Sequence, residues 1–127
     1  MNAEFADSAI AVQEAETVKR NEGEAYNALG ALLQAEGKKK QARQHYEKAL
    51  SLNNKLYAAT YNLGGLALAG HDYAEAIRLL KSVLQSNPGF PEAATKLDCA
   101  RKWDQYNKTR DRSTKQRLRQ DLKACLN

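Results

Sequence analysis

The chain has 127 residues, enough for one domain with a substantial core and too few for two ordinary domains. Its 7 Gly and 2 Pro leave little material for the turns of an all-β fold, so helix is favoured. The net charge of +5 is uneven, because residues 1–100 carry 11 basic and 12 acidic side chains whereas residues 101–127 carry 9 basic and 3 acidic. No stretch is apolar enough for a signal peptide or a membrane span. We therefore expect a helical cytoplasmic protein with a basic C-terminal tail and no membrane association.

The first two predicted helices lie on either side of a possible helix start at residues 21–24. Residues 3–19 have apolar side chains at spacings of 3 and 4, which predicts an amphipathic helix with an inner face of Phe5, Ala9, Val12 and Ala15. Asn21 followed by Glu24 has the form of a capping box and predicts that a second helix starts here. That helix runs to about Ala35, and its predicted inner face is Tyr26, Leu29, Leu32 and Leu33. Gly37 then supplies a left-handed stop.

Four further helices are predicted up to residue 107. The third helix turns Ala42, Tyr46, Ala49 and Leu50 to the core and ends near Asn53. The fourth runs from Leu56 to Ala69, and the fifth from Tyr73 to Ser86, with Asp72 as its N-cap. Pro91 suits the first position of a sixth helix, which should reach about Asn107.

A last short helix is predicted in the basic tail. Ser113 and Gln116 have the spacing of a capping box, and the apolar stripe that follows is Leu118, Leu122, Cys125 and Leu126. Because this stripe is narrow, we expect the helix to dock weakly or to fray.

An internal repeat runs through the middle of the chain. Shifting residues 57–90 back by 34 positions lays them over residues 23–56 with eight identities, where composition alone would give about two. The identical pairs are Ala25/Ala59, Leu29/Leu63, Gly30/Gly64, Leu32/Leu66, Ala35/Ala69, Ala42/Ala76, Leu50/Leu84 and Asn53/Asn87. A repeat of this length predicts a stack of helical units.

The repeat resembles the tetratricopeptide repeat family, whose 34-residue unit reads Trp-x2-Leu-Gly-x2-Tyr, then Ala-x3-Phe, then Pro. In the second unit the matching residues are Thr60, Leu63, Gly64, Ala67, Ala76, Leu80 and Pro88. In the first unit they are Tyr26, Leu29, Gly30, Leu33, Ala42, Tyr46 and Asn54. Residues 5–15 also lie 68 positions before residues 73–83 with a similar pattern, so the first helix looks like the second half of another unit.

The resemblance implies an all-α solenoid of antiparallel helix hairpins with about seven helices. The predicted domain covers residues 1–107 and contains a half unit (3–20), two units (23–56 and 57–90) and a capping helix (91–107). The basic tail, residues 108–127, lies outside it.

The family typically holds a peptide of another protein in a concave groove lined by the first helix of each unit. By that resemblance, this chain would be a non-catalytic scaffold or co-chaperone-like adaptor. Helical geometry then predicts the groove residues Asn27, Ala31, Gln34, Ala58, Tyr61, Asn62, Gly65, Leu68, Thr95, Lys96, Cys99 and Lys102. Some relatives grip a C-terminal carboxylate with five polar side chains, but here only Asn62 and Lys96 suit that role, and Glu92 places an acid where a base is needed.

No pattern in the sequence predicts an enzyme, a cofactor or a metal site. His45 and His71 lie in polar stretches with no acid or Cys placed to form a triad, and Gly64-Gly65 is explained by close helix packing. Cys99 and Cys125 lack the spacing of a metal or redox site, and we expect free thiols.

Two alternatives stay open beside groove binding. The tail could bind nucleic acid or another anionic surface, although a merely solvated basic face is favoured; its candidate residues are Arg110, Arg112, Lys115, Arg117, Arg119 and Lys123. Trp103 and Tyr106 either close the core against the tail or form an exposed patch. The chain could also form a homodimer through its N-terminal repeat edge, or be a fragment of a longer array.

Overall fold

The computed structural model describes the backbone of residues 3–126 and the side chains of residues 8–125. It contains six α-helices and no strand within the described residues, with successive helices packed in pairs. The helices are α1 (Ala3–Ala35), α2 (Lys39–Leu52), α3 (Tyr57–Ala69), α4 (Tyr73–Ser86), α5 (Pro91–Lys108) and α6 (Arg112–Leu122), and a 3-10 turn follows at Lys123–Leu126. The all-α repeat architecture predicted from the sequence is confirmed. The chain divides into two compact units. We call Met1–Ala59 the first unit and Thr60–Asn127 the second unit; they differ from the sequence repeats 23–56 and 57–90.

The first unit is built on a close contact between α1 and α2. A Cβ atom at Gly30 would lie 2.6 Å from the ring of Tyr46, so the missing side chain is what lets the buried ring pack against α1. Ala42 and Ala49 complete the buried face of α2. α1 ends as predicted at Gly37, whose φ of +82° places it in the left-handed region, and the Lys38 amide donates back to the Leu33 carbonyl.

The helix break predicted at residues 21–24 is wrong, because α1 continues through it as one helix of 33 residues. Gly23 is buried where α1 meets the backbone of α2, and a single glycine costs a helix only about 1 kcal/mol, too little to force a break. Two predicted inner-face residues are also exposed: Leu29 by 47% and Leu32 by 62%. Ala9, Val12 and Ala15 are exposed as well, and the Phe5 side chain lies outside those described.

The second unit has the predicted order of α3, α4 and α5. Gly64 lets Leu80 pack against α3, since a Cβ there would lie 2.9 Å from the Leu80 side chain. The Asp72 carboxylate caps α4 by accepting a hydrogen bond from the Glu75 amide (3.2 Å), and Pro91 starts α5, both as predicted. α3, α4 and α5 share a core cluster of Ala67, Ala76, Leu80, Val83, Ala93, Leu97 and Ala100.

The tail differs from prediction in three ways. α6 starts at Arg112 and is capped by Asp111, which accepts from the Thr114 amide (2.9 Å), so the predicted cap at Ser113 is wrong. Leu118 and Leu122 are buried, so α6 packs against α5 and does not dock loosely. Cys99 and Cys125 form a disulfide bond with their Cα atoms 5.8 Å apart, so the predicted free thiols are wrong too.

A candidate protein-binding surface

An aromatic ring at the centre of α3 organises the exposed side of the second unit. The ring of Tyr61 contacts that of Phe90 nearly edge to face, with centroids 5.0 Å apart. The Lys96 ammonium lies over the Tyr61 ring, 4.5 Å from its centroid. α3 thus supplies the tyrosine, the loop before α5 supplies the phenylalanine, and α5 supplies the cation.

Gly65 and Leu68 extend this arrangement along α3. A Cβ atom at Gly65 would meet only the Lys96 ammonium, at 3.0 Å, so this glycine leaves open space next to the cation. Leu68 is half-buried and packs, like Tyr61 and Phe90, against the core of the second unit. We call the set Tyr61, Gly65, Leu68, Phe90 and Lys96 the Tyr61 surface.

Lys96 carries the charge of the Tyr61 surface. Among the described side chains, no carboxylate lies within ion-pair distance of its ammonium. Lys102, one turn and a half further along α5, differs because Asp98 accepts its hydrogen bond at 2.8 Å and raises the Lys102 pKa. Lys96 is therefore the better candidate for contact with an acidic ligand.

The structure brings together only some of the predicted groove residues in this unit. Tyr61, Gly65, Leu68 and Lys96 lie together, and Asn62 is half-buried on the same helix. The Thr95 hydroxyl bonds back to the Pro91 carbonyl on α5 (3.1 Å). Cys99 was wrongly predicted to line the groove, since it is buried and bonded to Cys125.

The predicted groove residues of the first unit are less suited to binding. Gln34 accepts a hydrogen bond from the buried Tyr46 hydroxyl (2.6 Å), so its amide helps to hold the hairpin together. Burial raises the pKa of Tyr46. Asn27 is half-buried, and Ala31 and Ala58 are exposed and small.

Phe90 was missed by the sequence reasoning, which treated residues 87–91 only as a helix break. A large aromatic side chain in a short connection between two helices usually packs against the core, and this signal could have identified it. The Phe90 ring packs edge to face against the Tyr61 ring.

Trp103 and Tyr106 pack against other side chains of the second unit. The Trp103 ring lies parallel to that of Tyr73, with centroids 6.3 Å apart, and contacts Tyr106 edge to face. Arg119 donates a hydrogen bond to the Tyr106 hydroxyl (3.2 Å), which lowers the Tyr106 pKa, and the Lys115 ammonium lies 5.0 Å from the ring centroid. Of the two alternatives, the structure thus favours closure against the tail over an exposed patch.

Two of the six basic candidate residues of the tail contact Tyr106, and the other four do not. Lys115 and Arg119 are engaged with Tyr106, whereas Arg110, Arg112, Arg117 and Lys123 are exposed. Helical spacing places Arg112, Lys115, Arg119 and Lys123 along one side of the tail segment.

The cytoplasmic location expected from the sequence stays a prediction. The Cys99–Cys125 disulfide bond is of a kind that is rare in cytosolic proteins. None of the helices within the described residues has the length and apolar character needed to cross a membrane.

Comparison with known proteins places the repeat in a family. The family model described as tetratricopeptide repeat matches residues 33–98, slightly more than half of the chain. Searches of curated proteins and of solved structures found no match. Members of this family generally mediate protein–protein interaction and are typically not catalytic. The matched residues take in the close contacts at Gly64 and Leu80, and the chain belongs to the tetratricopeptide repeat family.

Proposed function

We propose that the Tyr61 surface binds a peptide segment of a partner protein and that the chain acts as a non-catalytic adaptor. The observation that carries this proposal is the Tyr61 ring held between Phe90 and Lys96, with open space at Gly65. Half-buried aromatic rings are common anchors of protein interfaces because they offer a large contact area at a low entropic cost. The family's general role in protein–protein interaction supports the same conclusion.

The chemistry of the surface suggests what the segment contains. Tyr61, Leu68 and Phe90 offer apolar contact, and Lys96 offers one cation without a carboxylate partner among the described residues. A segment with an apolar side chain next to an Asp or a Glu matches both features. Glu92, in the first turn of α5, argues against a ligand with several clustered negative charges.

The proposal can be tested with an array of synthetic peptides that vary in apolar and acidic content. We expect Lys96→Gln to weaken the binding of acidic peptides roughly tenfold, because it removes the charge and keeps a polar side chain of nearly the same length. Lys81→Gln is the matched control, since Lys81 is an exposed lysine on α4 away from the Tyr61 surface. Equal weakening by both variants would show general charge attraction and would contradict the proposal.

A second variant tests the apolar part of the surface. Gly65→Leu fills the open space and its Cβ meets only the flexible end of Lys96, so the fold should persist. We expect it to abolish peptide binding while circular dichroism and the melting temperature stay close to wild type. Unchanged peptide binding by this folded variant would rule out the Tyr61 surface as the site.

A second candidate function uses the basic side of the tail. Arg112, Lys115, Arg119 and Lys123 share one side of the tail segment, and such a stripe suits an anionic partner such as nucleic acid. If this function holds, single-stranded oligonucleotides should bind with an affinity that falls steeply with salt. The double variant Arg112→Gln plus Lys123→Gln should reduce the slope of log affinity against log salt by about 1.4, because each phosphate contact to a single strand contributes about 0.7. Binding that is insensitive to salt would contradict it.

A further inference from the structure

The second unit shows how two neighbouring helices of this repeat cover each other. In α4, Ala76, Leu80 and Val83 are fully buried, and they share one cluster with Ala93, Leu97 and Ala100 of α5. The short connection at residues 87–90 makes the two helices antiparallel, so the beginning of α4 lies near the end of α5. The three α4 residues are therefore covered by α5, and the three α5 residues are covered by α4.

The same six positions occur two repeat lengths earlier, and there all of them are on α1. They are Ser8, Val12, Ala15, Ala25, Leu29 and Leu32. All six are exposed, Val12 by 58%. One helix thus carries both sides of a repeat interface, and both sides are uncovered.

The continuity of α1 explains why the two sides do not meet within the chain. Ala15 and Ala25 are separated by ten residues of helix, about 15 Å, and a straight helix cannot fold back on itself. Covering Leu29 and Leu32 requires another helix with the pattern of residues 8–18. A second copy of this chain supplies one.

We propose that two copies of this chain associate through antiparallel α1 helices, each covering the Ala25–Leu32 face of the other with its own residues 8–18. The register is inferred from the second unit, where Ala76, Val83, Ala93 and Ala100 share one buried cluster. In two antiparallel helices joined at residues 87–90, position 76 comes opposite 100 and position 83 opposite 93. Transferred back by two repeat lengths, this register pairs Ser8 with Leu32 and Ala15 with Ala25 of the second copy. Paired residue numbers then add up to 40, so the arrangement is symmetric about residue 20 and forms a two-fold interface.

The exposed residues between these pairs fit that register. Ala11, Val18 and Glu22 are exposed and continue the same seam at alternating spacings of 3 and 4, the spacing of paired helices in a coiled coil. The register sets Ala11 opposite Leu29 and Val18 opposite Glu22. Small side chains therefore face the two leucines, and Glu22 lies close to Lys19 of the second copy, which has the opposite charge.

Cysteine crosslinking of the full chain tests the register. In Ala15→Cys plus Ala25→Cys, mild oxidation should give a covalent dimer on a non-reducing gel, because the two positions meet between copies. Ala15→Cys plus Ala31→Cys is the matched control, since Ala31 is exposed on a different side of α1 and should not crosslink. A disulfide formed within one chain, no crosslink, or equal crosslinking in the control would each overturn the proposal.

The mass in solution provides an independent test. Wild type should show about twice the chain mass of 14.1 kDa by light scattering, falling to the monomer on dilution. Leu29→Glu should raise the dimer dissociation constant roughly tenfold or more, because each dimer buries this leucine twice. Ala31→Glu, which adds the same charge outside the seam, should leave it unchanged. A monomeric mass across the whole concentration range, or an equal effect of the two variants, would overturn the proposal, and neither outcome depends on the Tyr61 surface.

Discussion

The α1–α2 hairpin and the α3–α4 hairpin have the same repeat pattern and differ in what is buried. Leu29 and Leu32 are exposed by 47% and 62%, whereas Leu63 and Leu66, at the equivalent positions of the next repeat, are exposed by only 5% and 7%. The difference teaches that a leucine in a repeat belongs to the core only where a neighbouring helix covers it.

The hairpins also differ in two other places. At the close contact between helices, the first hairpin pairs Gly30 with Tyr46 and the second pairs Gly64 with Leu80. At the left-handed turn, the first hairpin has Gly37 and the second has His71.

The largest expected effect separates the two leucines at equivalent positions. Leu63→Ala should lower the free energy of unfolding by about 2 to 5 kcal/mol, because it leaves a cavity in a packed interior. Leu29→Ala should change it by no more than about 0.5 kcal/mol in dilute, monomeric protein. Urea unfolding of both variants measures this difference. Equal losses would show that Leu29 is covered in the monomer and would remove the contrast between the hairpins.

The disulfide bond provides the next contrast, because it lies only in the second unit. Cys125→Ser should cost about 3 to 4 kcal/mol if the chain-entropy relation holds for a loop closed across 26 residues. The loss should appear as faster amide hydrogen exchange in α5 and α6, with the exchange of α1 and α2 unchanged. Uniform acceleration along the whole chain would contradict this assignment.

Adding a methyl group at each close-contact glycine should affect the first hairpin more. The Gly30→Ala methyl would lie 2.6 Å from the ring of Tyr46, which is rigid and fully buried, whereas the Gly64→Ala methyl meets the Leu80 side chain at 2.9 Å. Overpacking costs about 1 to 3 kcal/mol, and the gain in helix propensity returns about 1 kcal/mol. We expect Gly30→Ala to be the less stable variant by roughly 1 kcal/mol. The reverse order in thermal unfolding would show that the ring shifts more easily than the leucine.

The smallest expected effect concerns the turn that closes each hairpin. Gly37 and His71 occupy the same repeat position, both with positive φ, +82° and +64°. His71→Gly should raise the free energy of unfolding by up to about 1 kcal/mol, because glycine adopts positive φ without strain. The loss of the contact between the His71 ring and the Tyr73 hydroxyl (2.8 Å) should make this gain smaller. Gly37→Ala should lower stability by about 1 kcal/mol. Melting temperatures that move in the same direction for both variants would contradict this interpretation of the two turns.

Local signals in the sequence predicted most of the helix ends and the glycines at which helices approach closely. Asp72, Pro91 and Gly37 end or begin helices as expected, because capping and left-handed turns depend on residues within one turn of the chain. The repeat spacing also predicted that Gly64 lets a second helix approach closely, but with Ala76 as the contact, whereas the structure places Leu80 there. Within the candidate site, Tyr61, Gly65, Leu68 and Lys96 were predicted from helical geometry and do lie together.

The errors occur where distant parts of the chain decide the outcome. The capping signal at Asn21 did not end a helix: α1 continues through it, and Gly23 lies against α2. Cys99 was assigned to the groove because its position on α5 is right, but its sulfur bonds to Cys125, 26 residues away. Phe90 was overlooked because its role depends on a contact with Tyr61 on another helix.

The sequence by itself determined the helical class, the repeat unit and the close contacts at its glycines, since these depend on periodic spacing and on residue size. Only the tertiary structure decided that α1 continues as one helix, that Leu29 and Leu32 remain uncovered and that the 3-10 turn after α6 is bonded to α5. The physical reason is that burial and covalent pairing are properties of two surfaces that meet. A periodic sequence specifies each surface but leaves open which neighbour covers it.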